Sequence, residues 1–286
     1  MRVLVIGDLA VDISGLQRGH LREGENVLLD GVRIRPGGVA GNLAFYLRGL
    51  GSEVYVAGSV GRDPWGDFIL RDLRSMGAGT ELVRIVRRPT GFFVIAISPG
   101  GERTMIGSRG ANEDVRISSD QIKGIRPDWI HLSGYTLLNR NRAAVLRAVK
   151  ESALELGVRY SVDLEGIGEM GAALDLSGAV VFCNEGRCSE RSREGAKIVV
   201  IKAGARGCYL VHMGEVVQHQ PPQVSARDTT GAGDAFDASF IYSYLITDDP
   251  AASCRFANRV ASLKVTREGA RARLPLKKIK RESGLP

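Results

Sequence analysis

Arg227-Asp228-Thr229-Thr230-Gly231-Ala232-Gly233-Asp234-Ala235-Phe236 is polar and glycine-rich, and it runs straight into an apolar stretch over 236–245 with the length of a buried helix. A glycine turn that opens a helix leaves backbone N–H groups without intrahelical acceptors. Together with the positive end of the helix dipole, these groups form an anion site, and phosphate is the obvious ligand. Asp234 stands at the helix start beside that site. It reads either as an N-terminal cap or dipole partner, or as the base for a hydroxyl that attacks a phosphoryl group held by the same N–H groups. The local residues leave both readings open. No G-x-x-x-x-G-K-[ST] loop occurs in the chain, and no G-x-G-x-x-G follows the first apolar run, so neither a P-loop nor a dinucleotide fingerprint accounts for the motif.

Outward from this motif, short β-prone runs at 3–6, 54–58, 129–132, 159–162, 180–183, 198–201 and 208–211 alternate with helical patterns at 39–50, 65–76, 140–156, 233–245 and 250–266. This rhythm predicts an α/β domain with a mainly parallel sheet. Two stretches, 12–35 and 82–107, carry β-type residues with no helix between them. They read as edge strands or as a small separate sheet, a lid that excludes water from a site. One domain over 1–286 is expected, since repeats and low-complexity linkers are absent.

The bulk composition narrows the function classes. Of 286 residues 44% are hydrophobic and 25% charged, ordinary values for a globular protein. No apolar run reaches the roughly 20 residues a membrane span needs. The apolar start at 3–6 is too short for a signal-peptide core, so a cytoplasmic protein is expected. The net charge of +7 admits anionic partners, yet the basic clusters lack the interleaved aromatics that stack on bases; no nucleic-acid partner is expected. The four cysteines (Cys183, Cys188, Cys208, Cys254) form no C-x-x-C pair and read as reduced thiols rather than a zinc site.

Four segments resemble the ribokinase-like (PfkB) carbohydrate kinases. Asp228–Asp234 resembles their C-terminal signature, and Pro36-Gly37-Gly38-Val39-Ala40-Gly41-Asn42-Leu43-Ala44 their N-terminal one. Gly58-Ser59-Val60-Gly61-Arg62-Asp63-Pro64-Trp65-Gly66 is similar to the segment that follows it, and Gly7-Asp8-Leu9-Ala10-Val11-Asp12 to the usual first strand and turn. The resemblance spans residues 3 to about 274, in the family's order. It implies a three-layer α/β/α fold with a β-sheet lid, and ATP-dependent phosphotransfer to a hydroxyl of a sugar-like molecule. The alternatives are a nucleoside kinase of the same family, or a catalytically weak ligand-binding homologue.

The resemblance also implies roles. Asp234 would be the base, and Gly231, Ala232 and Gly233 would form the anion hole. Asp12, Gly38 and Asn42 would bind the acceptor, with Gly37 and Gly38 as the lid hinge. Arg103 and Arg109, after the lid, would suit a carboxylate or phosphate on the acceptor. Asn184, Lys202, Gly204, Gly207 and Asn258 would lie on the nucleotide side, with Mg²⁺ carried by the nucleotide. In cation-dependent members Asp228 and Thr230 would hold K⁺; here Arg273 falls where a small residue is common, and its guanidinium stands as a replacement, which argues against K⁺ dependence. Family members often carry N-x-x-E after a mid-domain strand, but here the segment is Asn184-Glu185-Gly186-Arg187, so either Arg187 meets phosphate, Glu185 takes the glutamate's place, or Arg187 faces solvent. Asp237, in place of the family's asparagine, is expected to raise the pKa of Asp234. Family lids often pair between subunits, which implies a homodimer through the lid.

Overall fold

The structure is a computed structural model that describes residues 1–19, 22–24, 26–98, 103–167, 174–187 and 189–286. Its centre is β1 (Arg2–Ile6), a run of apolar residues buried on both faces, as parallel strands under two helical layers must be. β1 pairs in parallel with β4 (Glu53–Gly61) on one side and β8 (Trp129–Ser133) on the other. β5 (Gly79–Val86) extends the sheet beyond β4. β9 (Arg159–Asp163), β10 (Val180–Asn184) and β11 (Ile198–Lys202) continue it beyond β8, all in parallel. An antiparallel hairpin of β12 (Cys208–His212) and β13 (Glu215–His219) closes that edge, giving, among the described residues, nine strands in the order β13-β12-β11-β10-β9-β8-β1-β4-β5.

Alternation along β1 assigns its two faces. Val3 and Val5 pack with α1 (Val39–Leu50), α2 (Pro64–Ser75), α5 (Ala232–Thr247), α6 (Pro250–Val265) and α7 (Leu276–Glu282). Leu4 and Ile6 pack with α3 (Ser119–Ile125) and α4 (Arg142–Leu156) on the other face. This is the expected three-layer α/β/α arrangement.

A second sheet of four strands stands apart, in the order β3-β2-β6-β7, from β2 (Ala10–Arg18), β3 (Leu28–Gly37), β6 (Gly91–Ile97) and β7 (Arg103–Ser108). The sequence bounds for this lid need one correction. Residues 82–86 belong to β5 in the main sheet, where Leu82 to Val86 run beside Ala57 to Gly61. An edge strand that is only half covered keeps polar residues, such as Glu81 and Arg84, between its apolar ones, and so reads like a lid strand.

Cys208 and Cys254 are free and buried, as expected of reduced thiols, but Cys183 is disulfide-bonded, against that expectation. Among the described residues no helix is long and apolar enough to cross a membrane.

Candidate active site

The parallel strands end in polar residues, and these C-terminal ends meet the N-termini of α1 and α5. α5 carries apolar residues around its whole circumference and is buried through Tyr244, packed against α1 and α6. Its first turn is therefore fixed in position. Gly231, the residue before α5, has φ 71°, and a Cβ there would lie 2.6 Å from the Ala270 carbonyl oxygen, so only glycine fits.

The N–H of Ala232 donates to the Thr229 carbonyl at 3.1 Å. That amide closes the turn and is not free for an anion, which narrows the expected hole. The amides of Gly233 and Asp234 find no backbone acceptor among the described residues.

Asp234 is 7% exposed. Its Oδ2 accepts from Asn42 Nδ2 at 2.8 Å, a bond that ties α5 to α1. Asn42 Oδ1 in turn accepts from Arg271 Nε at 2.9 Å, and Arg271 reaches the Gly37 carbonyl at 3.3 Å and pairs with Asp72. Burial pushes the Asp234 carboxyl up to about 7; the negative charge of Glu165 adds to the rise, while the Asn42 hydrogen bond and Lys202 oppose it. The carboxylates of Glu165 and Asp163 both add to the rise, and Asp237, which the sequence expects to act on Asp234, is itself pushed up by burial and in part by Asp234.

Beneath the turn lies a buried ionic cluster. Lys202 Nζ sits 3.0 Å from Asp163 Oδ2 and 3.2 Å from Asp237 Oδ2. Burial works against the ammonium, but the two aspartates outweigh it and hold Lys202 well above the usual lysine range. Burial raises Asp237, whereas Lys202 overcomes the same penalty at Asp163 and holds it low. Lys202 is accordingly neither a surface lysine nor a free phosphate ligand. Its charge is spent on two carboxylates under Gly233, where a Cβ would come within 3.3 Å of Nζ.

The loop that leads into α5 is braced from three sides. Asp228 Oδ1 accepts from the N–H and hydroxyl of Thr230 at 2.8 and 2.6 Å, and Oδ2 accepts from Gly269 N at 2.7 Å. Lys264, fully buried on α6, donates to the Asp228 carbonyl at 2.7 Å. From the lid, the Arg103 guanidinium donates to the hydroxyls of Thr229 (2.6 Å) and Thr230. Arg273, the guanidinium expected to stand in for a cation, is exposed and lines the same cavity as Asp228 and Thr230, and no hydrogen bond joins it to this loop among the described residues.

Two cavities flank the turn, and Ala226 and Thr229 line both. The larger, about 1090 Å³, opens between the lid and the 267–273 segment; Asp12, Arg33, Arg35, Arg103, Arg271 and Arg273 line it. Burial pushes Asp12 up to about 6 against the pull of Arg271. Gly37 lies against the Asp12 carboxylate. Gly38, at φ 80°, passes so close to the Asp8 carbonyl that a Cβ would be 2.4 Å from it. The smaller cavity, about 580 Å³, is lined by Asn184, Lys202, Gly204, Gly207, Gly233 and Asn258, which brings the expected nucleotide-side residues together. Asn258 Nδ2 is already committed to the His219 carbonyl at 2.7 Å.

Arg109 departs from expectation. Its guanidinium makes two hydrogen bonds to buried Asp8 (2.9 and 2.8 Å) and one to Asn139 (3.0 Å), and it lines neither cavity. Asp8, pushed up by burial, needs that cation more than a ligand does. Glu185 pairs with Arg206 and lines the smaller cavity, while Arg187 is exposed and does not line it.

The profile of the "pfkB family carbohydrate kinase" matches residues 1–175 and 185–277. This chain belongs to the PfkB family. It is 32% identical to an ATP-dependent ribose-1-phosphate kinase of Halopiger xanaduensis over 290 residues, covering 95% of this chain and 94% of that one. It is 25% identical to the ribokinase of Bacillus subtilis, over 96% of each chain. Among solved structures, Arabidopsis thaliana ribokinase complexed with ribose and ATP superposes with a TM-score of 0.81 at 25% identity, over 99% of both chains. Adenosine kinase from Sinorhizobium meliloti shares the fold, with a TM-score of 0.82 at 20% identity. The PfkB chain described here is thus a kinase that transfers phosphate from ATP to a sugar-like molecule.

Several residues at this site carry no signal in the sequence. Asp163 and Glu165 follow a strand that reads as ending at 162. Lys264 sits on a helix whose other buried positions, Asn258 apart, are apolar or small, and Arg271 opens a run rich in basic residues, 271–281.

Proposed function

We propose that this PfkB kinase phosphorylates a hydroxyl of a sugar that already carries a phosphate, in the class of ribose 1-phosphate. The observation that carries this reading is the acceptor-side cavity, where arginines 33, 35, 103, 227, 267, 271 and 273 face five carboxylates, Asp12, Asp30, Asp72, Asp228 and Glu268. Glu268 pairs with Arg33 and Arg227, and Asp72 with Arg271. Arg35, Arg267 and Arg273 make no ion pair among the described residues, which leaves three forked donors for an acceptor phosphate. The Halopiger relative's name agrees with this class.

In this reading Asp12 binds an acceptor hydroxyl beside the Gly37-Gly38 hinge, and Asn42, expected from the sequence to bind the acceptor as well, instead holds Asp234, with both its amide atoms engaged and neither cavity lined by it. Asp234 takes the proton as the hydroxyl attacks. The amides of Gly233 and Asp234, at the positive end of α5, stabilise the charge on the phosphoryl group in transfer. The nucleotide lies in the smaller cavity against Gly204, Gly207, Asn184 and Asn258. Mg²⁺ arrives on the nucleotide. Glu165, kept near Gly233 and pushed up by burial, is the carboxylate placed to order such an ion's waters where Arg187 has displaced the family glutamate. The ion would offset phosphate charge during transfer.

A homodimer through the lid completes the reading. Ile13 stands between Ile34 and Val94 in the lid ladder, and Val94 pairs Ile106, so one apolar row crosses all four strands. Ile34 and Ile106 are exposed to 54% and 59%.

ATP turnover across ribose 1-phosphate, ribose, other pentose phosphates and nucleosides tests the assignment. The phosphorylated sugars are expected to give kcat/KM at least about tenfold above the neutral ones, and preference for ribose or a nucleoside would overturn it.

A further inference from the structure

Lys264 is an anomaly in its helix. Its neighbours on the buried face of α6, Val260 and Ala257, are apolar core residues, yet Lys264 is 0% exposed and makes no ion pair within 4.0 Å among the described residues. A buried ammonium without a carboxylate in contact is costly unless something in the fold requires a cation there.

Among the described residues its one side-chain hydrogen bond goes to the main-chain carbonyl of Asp228. Two backbone bonds, from the amides of Arg227 and Asp228 to the Val265 carbonyl, bring the 227–231 loop against the end of α6. The Asp228 carboxylate ties the same loop to Gly269. The ammonium therefore sits where two loops converge, on a carbonyl; burial pulls it down to about 8, and the nearby Asp228 carboxylate works against that pull. Those are the surroundings that an alkali cation would seek: oxygen ligands and a carboxylate's field in a dehydrated place.

We infer that the Lys264 ammonium acts as a tethered cation on the Asp228 loop, fixing the anion-hole turn in this chain, so that turnover does not depend on K⁺. Asp228 and Thr230 then do not fit a monovalent cation. The Asp228 carboxylate is spent on Thr230 and Gly269, the Thr230 hydroxyl is held by Arg103 and Asp228, and a positive charge already stands on the Asp228 carbonyl. Lys264 touches neither acceptor nor nucleotide cavity and is a positioning residue.

The test uses the full chain in buffers whose only added cation is tetramethylammonium, titrated with KCl or NaCl at fixed ionic strength. Unfolding midpoint and ATP turnover are expected to change by less than about 1 °C and twofold. A saturable rise specific to K⁺ overturns the inference. Lys264→Met should lower kcat at least about tenfold with KM for ATP little changed, and should make both melting and rate respond to K⁺. Lys264→Arg, which keeps the charge, should recover most of the rate without K⁺. A Lys264→Met variant that folds and turns over at the parent rate in tetramethylammonium overturns the inference as well. Melting needs no acceptor, so cation-indifferent melting in a protein that phosphorylates none of the tested sugars would sink the acceptor assignment and leave this one standing.

Discussion

Asn42 Nδ2 donates to Asp234 Oδ2 at 2.8 Å across the gap between α1 and α5, and the acceptor carboxyl is pushed up to about 7 by burial. A base must be ionised, so kcat should fall as pH drops through about 7, with a slope near one on a logarithmic plot. Asp234→Asn should remove turnover by at least about 1000-fold while ATP still binds by calorimetry. The stability effect has the opposite sign. The carboxyl binds its proton more tightly folded than unfolded, so it destabilises the fold as pH rises from about 4 to about 7. Asp234→Asn should therefore melt above the parent at pH 8 and close to it at pH 4; equal melting at both would refute the raised pKa.

The Lys202 cluster is a structural commitment. Replacing Lys202 by Met leaves Asp163 and Asp237 buried without a counter-charge, which should cost roughly 3–5 kcal/mol of stability in denaturant unfolding. Had Lys202 been a free phosphate ligand, the variant would keep its stability and lose only affinity for ATP.

What the sequence disclosed follows the apolar pattern. The strand runs read as ending at 132, 162, 183 and 201 each extend by one residue, and the added residues are Ser133, Asp163, Asn184 and Lys202. Hydrophobic periodicity stops where a strand stops being buried among apolar neighbours, and in a parallel sheet that edge is where polar site residues stand. Asp234, Asn42 and the glycine turn were legible because their spacing is local. Arg109 was misplaced because its partner, Asp8, lies 101 residues away, and sequence offers no sign of a pair formed by two loops. Arg271 was hidden for the same reason, since its reach to Asn42 spans 229 residues.

Arg35 and Arg273 give the acceptor assignment a handle that leaves the chemistry alone. Arg35→Gln with Arg273→Gln should raise KM for ribose 1-phosphate by roughly 10- to 100-fold, one or two charged hydrogen bonds' worth. KM for ATP should stay within about twofold. An equal rise for ribose would mean the arginines act on the lid rather than on the acceptor's phosphate.

Arg103 is the lid's hold on the catalytic turn. Its guanidinium reaches from β7 to the hydroxyls of Thr229 and Thr230, so the lid strand and the turn before α5 share a contact. Arg103→Met should loosen that hold, lowering kcat by about 10- to 100-fold and raising leakage of ATP to water relative to sugar transfer. Melting should change little, since exposed contacts of this kind contribute about 1 kcal/mol or less. A large loss of stability with normal coupling would assign Arg103 a role inside the lid instead.

The lid's apolar row makes the oligomer testable without reference to catalysis. Ile34 and Ile106 close the two ends of a row that crosses all four strands, on the face opposite Asp12 and Arg35. A free sheet of this kind invites a partner, because burying such side chains yields about 25 cal/mol per Å². Ile34→Glu with Ile106→Glu should shift the protein from dimer to monomer in sedimentation equilibrium while the main domain still melts cooperatively. Acceptor KM should rise in the monomer, since a lid without its partner orders Arg103 and Arg35 less well. A parent protein that sediments as a monomer at 50 μM or more would defeat the lid-to-lid assignment outright.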